Sequence, residues 1–131
     1  MNGNPRPLRY ARLWRIGGHA LLLLALAAAL LPAPQGLGRI DYGDKLLHAG
    51  AFAFLMLWYA QVYAGRRERL RCACGLIGFG LTIELLQALV PYRAADIWDL
   101  VADGAGVMLG LLLARTWLGS LLSRFEIRPA A

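Results

Sequence analysis

Asp44 and His48 stand four residues apart, a spacing that puts both side chains on one face of a helix. Glu84 and Gln87 stand three apart, and Asp99 and Asp103 four apart, so each of these pairs shares a helical face as well. Arg93 and Asp96 lie between the last two pairs, in the stretch Pro91-Tyr92-Arg93-Ala94-Ala95-Asp96-Ile97-Trp98-Asp99. Residues of these types support three chemistries. In the first, Glu84 is a general acid or base, its pKa raised by partial burial, and His48 is a second proton carrier. In the second, Asp96, Asp99 and Asp103 hold a divalent cation that activates water or bridges a phosphate. The third is recognition: the planar donors of Arg93 hold a phosphate or carboxylate, with Asp44, Gln87 and the three later aspartates completing the site. No serine or cysteine belongs to the set, which argues against an acyl-enzyme or thiol route. The residues name no cofactor, and they leave open whether the protein is an enzyme.

These groups sit at the ends of long apolar runs. The chain has 131 residues, 59 % of them hydrophobic and only 17 % charged, and the charges gather in short patches between the runs. A soluble domain would spread its charges along one face of each element. The runs at about 13–31, 45–64, 72–90 and 99–118 are instead long enough to cross a bilayer, which takes about 20 helical residues. The expected fold is therefore all-α, a compact bundle of four transmembrane helices. It forms one domain, 13–122, between a basic arm, 1–12, and a tail, 123–131, expected to have little order. The first run, stopped by Pro32 and Pro34, also fits a signal peptide, but the further apolar runs favour an uncleaved helix.

The basic residues give an orientation. Arg6, Arg9, Arg12 and Arg15 precede the first run, a tight loop holds Arg66, Arg67, Arg69 and Arg71, and Arg115, Arg124 and Arg128 follow the last. Cations beside membrane spans prefer the cytoplasm, so both termini are expected inside. The two remaining loops carry only Arg39, Lys45 and Arg93, beside Asp41, Asp44, Asp96 and Asp99. The polar residues thus converge on the outer side, with Tyr42, Tyr92 and Trp98 as interfacial aromatics. A net charge of +6 invites a nucleic-acid reading, but arginines beside apolar spans form no groove-binding stripe, and none is expected. Cys72 and Cys74 lack a partner pair for zinc or a disulfide framework.

A plainer reading stands beside these. A polar network can simply pin helices together, and Asp99 can be an N-cap, with Asp44 and Asp96 in cap or loop roles. Five carboxylates, a histidine and an arginine are more than such glue requires, since uncharged amides would do it with less desolvation. Charge pairing of Glu84 is expected with Arg93 or His48, or else its hydrogen bonding to Gln87 while protonated. Ala102, Gly106 and Gly110 form a small-residue stripe suited to close helix packing, and Gly75, Gly78 and Gly80 offer another.

In order, the motifs are Asp44-Lys45-x-x-His48-x-x-x-Phe52, then Glu84-x-x-Gln87-x-x-x-Pro91-x-Arg93-x-x-Asp96-x-x-Asp99, then Asp103, Gly106 and Gly110. The set resembles the VanZ-like family of membrane proteins over about half of the chain. One position departs: the family commonly has asparagine where this chain has Asp103. The family takes its name from a protein associated with resistance to the glycopeptide teicoplanin. The resemblance therefore implies a protein of the bacterial cytoplasmic membrane with an envelope-related role. Its partners would be the bilayer and an envelope lipid or lipoglycopeptide, and glycopeptide tolerance is an extension of that role. A membrane-embedded hydrolase or transferase, assisted by acid, base or metal, is the alternative. A transporter is less favoured, because the inner halves of the helices are read as lacking matching ionisable residues.

Overall fold

The computed structural model describes residues 7–32 and 43–127; Arg6, Arg39, Asp41, Tyr42 and Arg128 lie outside them. The described residues are helical, with no strand: α1 (Ala11–Leu30), α2 (Gly43–Val62), α3 (Arg66–Ala88), α4 (Ile97–Leu113), a 3-10 turn (Trp117–Ser120) and α5 (Leu121–Ile127). Leucine and alanine dominate α1 and favour helix throughout. It ends at Leu31, which is extended (φ −74°, ψ 155°), because Pro32 disfavours helical backbone in the residue before it.

Four long helices stand where the sequence places them, but the span count is met only in part. By length and composition α1 and α3 can each cross a membrane, and α4 with the segment after it makes a third across a 76° bend. Helix α2, which carries Asp44, Lys45 and His48 in its first turns, is not among them. The outer surface is nonetheless apolar, with Leu23, Leu46, Leu85, Leu89 and Met108 all exposed, while Glu84, Gln87, Asp99 and Asp103 are buried. Polar inside and apolar outside is the pattern that lipid selects.

Three boundaries differ from expectation. The basic loop is not a loop, since Arg66 opens α3. Arginine, glutamate and leucine are good helix formers, and Glu68 in the first turn suits the helix dipole. Arg69 then reaches back to the end of α2, donating from Nη2 to the Ala60 carbonyl (2.7 Å) and from Nε to that of Tyr63 (3.1 Å). Helix α4 stops at Leu113, five residues early. The Thr116 hydroxyl donates to the Leu113 carbonyl and accepts from the Leu118 amide, so the side chain competes with the helical backbone for its partners. The tail expected to have little order forms α5, held by Glu126: its carboxylate accepts from the Arg9 and Tyr10 amides and from Trp14 Nε1, at 2.6, 3.0 and 2.7 Å. The Glu126 carboxylate thus satisfies amide donors at the otherwise uncapped start of α1.

Helices α2 and α4 form the closest pair. A Cβ on Gly106 would collide with the Ala49 carbonyl, and one on Gly110 would lie 2.6 Å from the Ala53 carbonyl, so this stripe sets the approach of the two backbones. In α3 only Gly80 acts similarly, facing Asp103; Gly75 and Gly78 have nothing within 4 Å. Phe52, Met56, Leu76, Ile83 and Val107 fill the space between these helices.

Candidate functional site

The start of α2, the end of α3 and the start of α4 come together at one end of the bundle. Asp96 opens α4 as its N-cap, its side chain accepting from the Trp98 amide at 2.9 Å. The cap is therefore Asp96, and Asp99 sits within the first turn, buried. Lys45 of α2 bridges the two, with Nζ 2.8 Å from Asp96 Oδ2 and 3.3 Å from Asp99 Oδ1. The Lys45 ammonium, with help from the Trp98 amide, holds the Asp96 carboxyl below the usual carboxylate range.

One turn further along α2, His48 meets α4. Its Nδ1 lies 2.7 Å from Asp103 Oδ1, while Nε2 lies 3.7 Å from Asp99 Oδ2 and 4.0 Å from Asp44 Oδ1. The tautomer with its proton on Nδ1 donates to Asp103 across this short contact and leaves Nε2 directed toward Asp99 and Asp44. Asp103 is fully buried, and a Cβ on Gly80 would meet its Oδ2 at 2.6 Å. Only glycine admits the carboxylate there.

Glu84 reaches the cluster from α3. Its Oε2 accepts from the Asp96 amide at 2.9 Å, and its Oε1 is buried without a partner. Gln87 donates from Nε2 to the Ala29 carbonyl, and its Oε1 is likewise unpartnered, as is Asp103 Oδ2. Arg93 points elsewhere. It donates from Nε (2.9 Å) and Nη2 (2.5 Å) to the Leu31 carbonyl and closes the C-terminus of α1. Of the partners expected for Glu84, Arg93 and Gln87 turn to carbonyls of α1 and its C-cap, His48 stands with a nitrogen within 4.8 Å, and the hydrogen bond Glu84 makes is to the Asp96 amide. Tyr92 adds its hydroxyl to the Leu30 carbonyl, and Trp98 is exposed.

Two three-residue sets bring donor atoms within 4.8 Å of one another: Asp44, His48 and Asp99, and His48, Glu84 and Asp103. Asp96, Asp99 and Asp103, grouped on sequence, do not form such a set, since Asp96 turns to Lys45 at the helix start. A cavity of about 570 Å³ opens beside the cluster, with Asp44, His48, Gln87, Arg93 and Asp99 on its polar side and Ala25, Ala28, Phe52 and Ile83 on its apolar side.

The opposite end carries the described arginines other than Arg93 and a second cavity of about 460 Å³, lined by His19, Tyr59, Arg71, Cys72 and Phe79 among others. His19 Nδ1 lies 3.0 Å from the Tyr59 hydroxyl. The sequence reading of these half-helices as free of ionisable residues overlooks it, though an imidazole within an apolar run is signal enough. Glu126 is the other residue it misses. Its carboxylate gathers Trp14 Nε1 and the Tyr10 and Arg9 amides, three donors on one side chain.

Residues 10–119 match the VanZ/LLP1 family. A protein of Schizosaccharomyces pombe, described as uncharacterized, is 32 % identical over 113 residues, covering 83 % of this chain and 68 % of that protein. No solved structure is significantly similar.

Proposed function

Because the chain belongs to the VanZ/LLP1 family, we propose that it is a four-span membrane protein whose acidic cavity binds the polar head of a membrane amphiphile. The observation that carries this reading is the division of the cavity, carboxylates and imidazole on one side and an apolar wall on the other, which matches the two halves of a lipid. Both termini lie in the cytoplasm and the cavity faces outward, as the clustering of arginines at the opposite end supports. In a bacterium this is the cytoplasmic membrane. Carboxylates outnumber free cations around the cavity, which favours a head rich in hydroxyl or amine donors, such as a lipid-linked sugar. A relative in a yeast favours a membrane lipid over a ligand confined to one bacterial envelope. Binding of a lipoglycopeptide, and with it teicoplanin tolerance, extends the same reading.

Lipid carried through purification tests it. Native mass spectrometry of the wild type is expected to show about one bound lipid per chain, and Ala28→Trp, which fills the apolar wall, is expected to lose it. Wild type and variant carrying the same lipids would defeat the proposal. The drug extension has its own test, teicoplanin susceptibility of a sensitive host expressing wild type or Glu84→Gln at matched levels. No protection by the wild type removes that extension and leaves lipid binding standing.

A second reading has a specific observation behind it. The short His48–Asp103 contact and the free Oε1 of buried Glu84 are groups suited to proton transfer, as in a membrane-embedded hydrolase or transferase. Under it, Glu84→Gln abolishes turnover while the lipid remains bound.

A further inference from the structure

We propose that Asp44, His48 and Asp99 form a binding site for one divalent transition ion, Zn²⁺ or Mn²⁺, with an open coordination position on the cavity. The geometry around the imidazole carries this. With its Nδ1 proton donated to Asp103 Oδ1, His48 presents Nε2 as a free lone pair toward two carboxylates on different helices. A carboxylate holding the far nitrogen of an imidazole ligand is the arrangement that orients histidine toward a metal and raises its basicity.

The separations suit an ion better than hydrogen bonds. At 3.7 and 4.0 Å the Asp99 and Asp44 oxygens are too far from Nε2 to bond to it. Two ligands each about 2.1 Å from a tetrahedral ion sit about 3.4 Å apart, so contraction by a few tenths of an ångström seats the ion. Asp44 is the exposed member and free to close in. One imidazole nitrogen with carboxylate oxygens favours zinc or manganese over calcium or magnesium, which prefer all-oxygen sites.

An independent observation points to a missing ligand. Gln87, 3 % exposed, lines the same cavity with its Oε1 unpartnered. Buried polar oxygens are normally bonded, and an unpartnered amide oxygen on a residue lining this cavity is an acceptor left over for a ligand held there. Charge agrees: with His48 neutral, Asp44, Glu84, Asp96, Asp99 and Asp103 face, among the described residues, Lys45 as the cation not spent on helix carbonyls. A divalent ion offsets that excess where desolvation makes it costly.

The site does not depend on the lipid reading, and a titration without lipid separates the two. Metal-stripped protein in detergent is titrated with ZnCl₂ and MnCl₂ by isothermal calorimetry, and Mn²⁺ coordination is followed by electron paramagnetic resonance. The wild type is expected to bind one ion per chain saturably. His48→Gln is expected to abolish binding and Asp44→Asn to weaken it at least about tenfold. Asp103→Leu, acting through the imidazole, should cost about 10–100-fold in affinity, and Asp103→Asn, which keeps the acceptor, should recover part of that loss. No saturable binding by the wild type overturns the site. So does wild-type affinity in Asp44→Asn, a surface change that leaves the fold intact.

Discussion

Gly80 of α3 faces Asp103 of α4 so closely that an added Cβ would stand 2.6 Å from the carboxylate oxygen. The fully buried aspartate is thereby held between two helices, with Gly80 on one side and His48 of α2 on the other. The contact ties the packing of the bundle to the orientation of the imidazole.

Gly80→Ala should therefore disturb both. Overpacking of this kind costs about 1–3 kcal/mol. The expected result is a lower Tm in detergent together with an altered His48 ring resonance by nuclear magnetic resonance. Gly78→Ala, with nothing within 4 Å, is the control and should leave both unchanged.

The stripe on α4 makes a different prediction. Gly106→Leu drives a side chain into the Ala49 backbone, which cannot yield as a flexible side chain would. The variant is expected to lose folded protein altogether, measured as monodisperse yield in size-exclusion chromatography. Gly104→Leu, at a position open to its surroundings, should express normally.

Arg93 is expected to act on stability. Arg93→Ala removes the donors that close α1 and should cost about 1 kcal/mol, given the partial exposure of these charge-assisted bonds. Thermal unfolding followed by circular dichroism reads the loss. Under the proposed function, lipid carried through purification should change little, and a lipid lost in full would make Arg93 a binding group after all.

One carboxyl outside the spans sets an acid limit. Asp96 is held below its ordinary value of 3.8, so it contributes stability that is present above that value. It is lost as the pH falls through the lower, folded-state pKa, when the native carboxylate also takes up a proton. The wild-type Tm should thus fall on acidification below about pH 3.8. Asp96→Asn should start from a lower Tm near neutrality and fall less steeply. A variant curve parallel to wild type would show that the residue's charge does not matter.

Orientation is accessible to chemistry. Cys74 is exposed at the arginine-rich end, and Leu46 at the acidic end. In intact cells a membrane-impermeant maleimide should label Leu46→Cys, made in a Cys72→Ser, Cys74→Ser background, and spare native Cys74. The reverse labelling would invert the proposed topology.

Much of this was legible along the chain. Helix existence follows from apolar run length, which is local, and the pairing of Ala102, Gly106 and Gly110 with a neighbour follows from residue size. That Asp44, His48, Glu84, Asp99 and Asp103 meet at one end follows from short connections between antiparallel helices. The boundaries were less legible. Arg66 to Arg71 have both the charge of a loop and the propensity of a helix, and the capping bonds of Arg69 and Thr116 depend on where the backbone turns.

Tertiary structure alone decided which partner each polar group took. Arg93 and Glu84 are a basic and an acidic residue a short way apart in sequence, yet one closes α1 and the other binds the Asp96 amide, because carbonyls and amides left bare at helix ends are fixed acceptors and donors. Rotation of each helix about its axis, which hydropathy leaves undetermined, set His48 between Asp103 and Asp99 and left Asp96 to Lys45. Residue type determined, by itself, that ionisable groups would gather at one end of an apolar bundle. Which of them face the cavity depends on the close contact of α2 with α4 at Gly106 and Gly110, where the two backbones leave no room for a side chain.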